Sequence, residues 1–137
     1  MTLVVDASVA IKWVVDEKQR EAARALLAAK QPLLAPEFLM IEVANVLRMK
    51  VSRGQFARTN AAEALATIRS AFVEFMPDGP LVAEALEMAL ELDHPAYDCV
   101  YLACARRHGA GLITADERLL GKLRQAGGWS NVRALNG

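Results

Sequence analysis

Four acidic residues carry the chemistry this sequence can do: Asp6, Glu42, Asp98 and Asp116. Asp6 closes the apolar run Leu3-Val4-Val5, and Asp116 follows Leu112-Ile113-Thr114 in the same way. Asp98 lies near the start of a helical stretch that opens after Pro95. In open parallel sheets, reactive groups gather beyond the carboxyl ends of the strands, where helix N-termini also point. Three carboxylates thus have a topological reason to share one edge. Glu42 comes from a helix. With Phe38, Asn45 and Met49 it falls at i, i+4, i+7 and i+11, an otherwise apolar stripe expected to turn Glu42 and Asn45 inward. A buried carboxylate is costly unless it is paired or holds a metal. Four together repel and raise one another's pKa values, and a divalent cation removes that conflict. Hard oxygen donors favour Mg²⁺ or Mn²⁺ over zinc. Such an ion polarises a phosphoryl oxygen and acidifies an attacking water, so no histidine base is required. Ser8, Asn45 and Thr114 lie two or three residues from an acid and are candidate supports.

Each acid also has a structural reading. Asp6 could simply cap the helix it precedes. Thr114 and Glu117 have capping-box spacing, which would put Asp116 in a dipole-favoured first turn, and Asp98 gains the same benefit. Glu42 could pair with an arginine. Helix capping accounts equally for Ser8 and Thr114, and a core hydrogen bond for Asn45. His94 and His108 read as a loop residue and a helix C-terminal residue. Cys99, Cys104 and His108 diverge around one helix, which excludes a zinc site built from them. The two cysteines, about 140° apart on that helix, are not placed to pair, which fits a reducing cytoplasm.

The elements that must position these residues follow from the hydrophobic pattern. Short apolar runs predict strands at Leu3 to Val5, Leu33 to Ala35, Val73 to Met76, Leu112 to Thr114 and Val132 to Leu135. Helical patterns cover about Ala7 to Val15, Glu17 to Lys30, Pro36 to Arg53, Asn60 to Phe72, Pro80 to Leu92, Pro95 to His108 and Asp116 to Ala126, with Asn60 and Glu63 at N-cap and N3 spacing. Strands alternating with helices imply an α/β fold with a parallel sheet covered on both faces. Two consecutive helices between residues 36 and 72 predict a helical hairpin to one side. The helix after Pro36 is apolar around much of its circumference, so it is buried on more than one side or meets a partner.

The chain of 137 residues, 54% hydrophobic and 23% charged, suits a single domain over residues 1–137 and excludes disorder. Sixteen basic residues balance sixteen acidic ones. With four acids drawn into one pocket, basic side chains outnumber acidic ones elsewhere, and a rim that holds a polyanion becomes possible. The N-terminus lacks the basic region of a signal peptide, and no apolar stretch is long enough to span a membrane.

Val4-Val5-Asp6-Ala7-Ser8 with Trp13 downstream, Glu42-Val43-Ala44-Asn45-Val46-Leu47, Tyr97-Asp98-Cys99-Val100-Tyr101-Leu102-Ala103 and Leu112-Ile113-Thr114-Ala115-Asp116 occur in that order. The ordered set resembles the PIN-domain ribonucleases, in particular the VapC toxins of bacterial toxin–antitoxin pairs. The resemblance spans essentially the whole chain. It implies a PIN-like three-layer fold with about five parallel strands and helices on both faces. It also implies a Mg²⁺- or Mn²⁺-dependent endoribonuclease whose acidic residues map onto Asp6, Glu42, Asp98 and Asp116. Ser8, Asn45 and Thr114 fall where the family has polar supports, and Glu117 is placed where some relatives carry a further acid. A homodimer, an RNA substrate and inhibition by a small VapB-like antitoxin follow from the same resemblance. The apolar helix after Pro36, with Trp13 and Phe56, is the surface expected to receive that antitoxin.

Two other readings compete. An aspartate-based phosphotransfer domain would use Asp6 as nucleophile, but the second acid such sites carry two residues on is Ser8 here. A non-catalytic binding module would keep the fold and use the acids as caps. The intact set of four weighs against it.

Overall fold

The computed structural model describes residues 2–135. Five strands form one sheet: β1 (Leu3–Val5), β2 (Leu33–Pro36), β3 (Glu74–Met76), β4 (Gly111–Thr114) and β5 (Val132–Ala134). Their spatial order is β3-β2-β1-β4-β5, and every neighbouring pair is parallel. Parallel strands need crossovers, and seven α-helices among the described residues supply them. These are α1 (Ala7–Ala10), continued by a 3₁₀ turn over Ile11–Trp13, α2 (Arg20–Ala28), α3 (Phe38–Ser52), α4 (Ala61–Ser70), α5 (Val82–Leu92), α6 (Ala96–Arg107) and α7 (Glu117–Ala126). The α/β architecture expected from the sequence is the one observed.

The order of strands fixes where a site can form. From β1 the chain steps outward to β2 and β3, then jumps back across β2 and β1 to β4 and continues to β5. Right-handed crossovers place α1 to α4 on one face and α5 to α7 on the other. β1 and β4 lie side by side, yet their chains leave in opposite directions. A crevice opens where the strand order reverses, at the carboxyl ends of β1 and β4. Asp6 immediately follows β1, and Asp116 lies two residues beyond β4.

The central strands read as continuous apolar runs because both faces are covered. Leu3, Val4, Val5, Leu112 and Ile113 are all buried. α6 packs against β1, β2 and β4. Six of its twelve residues are buried, including Cys99 and Cys104, which are free thiols as expected.

Several local expectations change. Pro36 ends β2, paired with Met76, rather than opening α3. The inward row of α3 is Leu39, Val43 and Leu47, not Phe38, Glu42, Asn45 and Met49. Asn45 sits two residues from both Val43 and Leu47, about 200° around the helix from each, so it is exposed. Asn60 stands at the N-cap of α4, but its side chain makes no capping hydrogen bond. Trp13 is buried, with Nε1 donating to the Ala23 carbonyl at 2.9 Å and its ring 5.6 Å from that of Phe72. It therefore offers no surface to a partner. The hairpin of α3 and α4 forms as expected. It leaves a groove of about 470 Å³ floored by Ala44, Leu47, Val51 and Leu65, with Arg48 and Arg58 along it. No helix among the described residues is long and apolar enough to cross a membrane.

Candidate active site

Asp6 is held at the end of β1 by three donors. Ser8 Oγ donates to Oδ1 at 2.6 Å, the Val9 N–H donates to the same oxygen at 3.3 Å, and the Thr114 hydroxyl donates to Oδ2. Asp6 does cap α1, but it also faces its neighbours in the crevice. Ser8 and Thr114 lie 3.4 Å apart, oxygen to oxygen, and both bridge to β4's exit. Ser8 Oγ accepts from the Ala115 N–H at 2.9 Å, and Thr114 Oγ1 accepts from the Asp116 N–H at 3.0 Å. Thr114 is fully buried and does not cap α7. That cap is Asp116 itself, whose Oδ1 accepts from the N–H groups of Arg118 and Leu119. The capping box expected between Thr114 and Glu117 gives way to a single Asp cap, and Glu117 is exposed.

Asp98 occupies the first turn of α6, favoured there by the helix dipole. Its Oδ2 lies 2.6 Å from His94 Nε2. Ligand-capable atoms of His94, Asp98 and Asp116 all fall within 4.8 Å of one another. Glu42 reaches the cluster from α3 and is half-buried, its Oε1 accepting from the Tyr101 hydroxyl at 2.5 Å. Two site neighbours escaped the sequence reading. Tyr101 enters that reading only within the motif over residues 97–103, without a role. His94 looked like a loop residue, although its i, i+4 spacing to Asp98 was the signal available. Asn45 stays apart from this group: it accepts from Arg48 Nε at 3.0 Å and makes a long contact with Met49 sulfur.

The electrostatics follow from burial without countercharge. Burial pushes the Asp6 carboxyl up to about 7, despite the opposing hydrogen bonds from Ser8, Thr114 and Val9, and the Asp98 charge adds to the rise. Glu42 is raised by burial and by the charges of Asp98 and Asp116, with Tyr101 opposing. Asp98 is raised by burial and by Asp116, with His94 opposing. Among the described residues, none of the four acids has a lysine or arginine within 4.0 Å. The arginine partner considered for Glu42 is therefore a tyrosine. A group of acids that share one crevice and lack a cation fits a divalent metal. The donors are hard oxygens, which suits Mg²⁺ or Mn²⁺, with one nitrogen beside them.

The family model for the PIN domain matches residues 3–124. The chain belongs to the PIN-domain family. Among PIN relatives, it is 32% identical to ribonuclease VapC3 of Pyrobaculum aerophilum over 125 residues, covering 89% of this chain and 95% of that one. Its fold is similar to that of Mycobacterium tuberculosis VapC20, a Sarcin-Ricin loop cleaving toxin, with a TM-score of 0.71, 22% identity and coverage of 96% and 98%. It is also similar to a chain of a toxin–antitoxin complex from Klebsiella pneumoniae, with a TM-score of 0.63, 21% identity and coverage of 96% and 95%.

Proposed function

We propose that this PIN-domain chain is a divalent-metal-dependent endoribonuclease that acts as the toxin of a toxin–antitoxin pair. The observation that carries the reading is the crevice itself: Asp6, Glu42, Asp98 and Asp116 gather at the β1–β4 switch point without a lysine or arginine partner among the described residues, and burial raises the carboxyls of Asp6, Glu42 and Asp98. Asp6, Asp98 and Asp116 would hold a Mg²⁺ or Mn²⁺ ion, with Glu42 at its edge. Bound there, the metal would neutralise the acids and supply Lewis-acid polarisation of a phosphodiester and a more acidic attacking water. The protein's own groups do the positioning. Ser8 and Thr114 fix both oxygens of Asp6, the backbone of α7 fixes one oxygen of Asp116, and Tyr101 fixes Glu42. Asn45 and Glu117 take no part.

The partners belong to the same proposal. A VapB-like antitoxin would lie along the α3–α4 groove, whose apolar floor and flanking arginines suit an amphipathic acidic segment. Self-association would use the exposed row Val82, Leu86 and Leu90 on α5, 57%, 53% and 73% accessible. A cytoplasmic location fits the free, buried cysteines.

The decisive experiment incubates partner-free protein with total RNA and Mn²⁺ and maps the cut ends. Metal-dependent cleavage by the unsubstituted protein and its loss in Asp6→Asn and Asp98→Asn are expected. Equal cleavage by all three would remove the metal site from the account.

A further inference from the structure

We propose that His94 is a positioning residue for the metal: its Nε2–H holds Oδ2 of Asp98 and leaves the other carboxylate oxygen free to face the cation. The inference rests on the metal-site reading above and adds a residue to it. The His94 side chain is 3% exposed, whereas Asp98 is 23% exposed. The imidazole thus closes the inner side of a carboxylate whose outer side remains open. The contact is short, 2.6 Å. When Asp98 is ionised, as a metal ligand must be, the only proton available for this bond is on the imidazole.

The backbone places His94 deliberately. α5 ends at Asp93, which adopts a left-handed conformation (φ 50°), one that non-glycine residues rarely take. The His94 N–H then returns to the Ala89 carbonyl at 3.1 Å. This tight reversal turns the ring under the first turn of α6, four residues before Asp98.

His94 also lies within ligand distance of Asp98 and Asp116. A direct metal bond through Nε2 is nevertheless disfavoured. A nitrogen that donates its proton to a carboxylate has no lone pair left for a cation. Outer-sphere donors of this kind fix the orientation of the ligating group, and their loss typically weakens metal binding about 10- to 100-fold.

Mn²⁺ titration followed by electron paramagnetic resonance of the free ion tests the role without reference to cleavage. His94→Gln places an amide N–H near the position of Nε2 and should bind Mn²⁺ within a few-fold of the unsubstituted protein. His94→Asn, polar but too short to reach, and His94→Phe, similar in shape without a donor, should both bind roughly 10- to 100-fold more weakly. Pulsed resonance of bound Mn²⁺ should show no coupling to a directly ligated nitrogen. Binding by His94→Asn or His94→Phe as tight as in the unsubstituted protein overturns the proposal. So does a nitrogen coupling that His94→Phe abolishes, which would make His94 a ligand. If Mn²⁺ binds and Asp98→Asn does not weaken it, the metal-site reading itself fails.

Discussion

The Tyr101 hydroxyl donates to Glu42 Oε1 at 2.5 Å and so ties α6 to α3 across the top of the sheet. Tyr101 is 1% exposed and cannot turn to water instead. Its donation opposes the burial that raises Glu42. Tyr101→Phe keeps the ring and removes that opposition. The Glu42 carboxyl should then be raised further, and the protein should lose about 1.5–2 kcal/mol of stability, the lower part of the range for a hydrogen bond to a charged group because Glu42 is only half-buried. Thermal melting with excess Mn²⁺ checks the loss. An unchanged melting temperature would mean the contact is idle.

Thr114 and Ser8 each connect three partners in the site. Thr114 donates to Asp6, accepts from the Asp116 N–H and neighbours Ser8. Thr114→Val preserves shape but strands a buried carboxylate oxygen and a backbone N–H, each worth about 1–3 kcal/mol when left unsatisfied. Thr114→Ser should recover most of the stability and the Mn²⁺ affinity. Equal melting curves for the valine and serine variants would refute the bridging role.

Metal removal should reverse the dependence of stability on pH. Asp6 titrates near 7 in the folded chain against 3.8 in the reference state, so between those values the folded protein holds a proton that the unfolded chain has released. Stability contributed by that proton is complete below pH 4 and is lost as pH rises through 7. Glu42 and Asp98 are shifted in the same direction and contribute with the same sign. In EDTA, the melting temperature should fall from pH 5 to pH 8. Saturating Mn²⁺ should flatten or invert that slope, because the cation binds the ionised acids, and Mn²⁺ affinity should strengthen up to about pH 7. A melting temperature in EDTA that climbs over this interval would contradict the burial of uncompensated acids.

Asn45→Ala should leave Mn²⁺ affinity and RNA cleavage within about twofold of the unsubstituted protein, since surface substitutions away from special contacts are usually near neutral. Its side chain engages only Arg48 and Met49. A tenfold loss of either property would return Asn45 to the site.

The sequence made the sheet edge legible because strand pattern and acid position coincide: Asp6 and Asp116 follow apolar runs directly, and parallel topology brings those ends together. Glu42 was read as a candidate for a reason only partly right. The row Leu39, Val43 and Leu47 faces the core, and Glu42, one position from Val43, lies at its margin rather than on its axis. A shift of one position around a helix moves a side chain by about 100°, and apolar residues on several faces of α3 left that choice open. Tyr101 and His94 were illegible as site residues for another reason. Each is buried, Tyr101 on α6 and His94 in the turn before it, and a buried tyrosine or histidine looks the same in sequence whether its polar atom meets a backbone carbonyl or a site carboxylate.

The order in which this polypeptide is synthesised bears on when it becomes competent. β1 is made first, yet it occupies the middle of the sheet, and Asp6 and Thr114 are separated by 108 residues. A ribosome that has not yet delivered β4 carries a chain in which Asp6 has no Thr114 to hold it and no Asp116 beside it. Contacts this distant along the chain form late in folding. The acids therefore stay dispersed on a chain that lacks β4, and the crevice cannot assemble until β4 and Asp116 have followed the strands made before them.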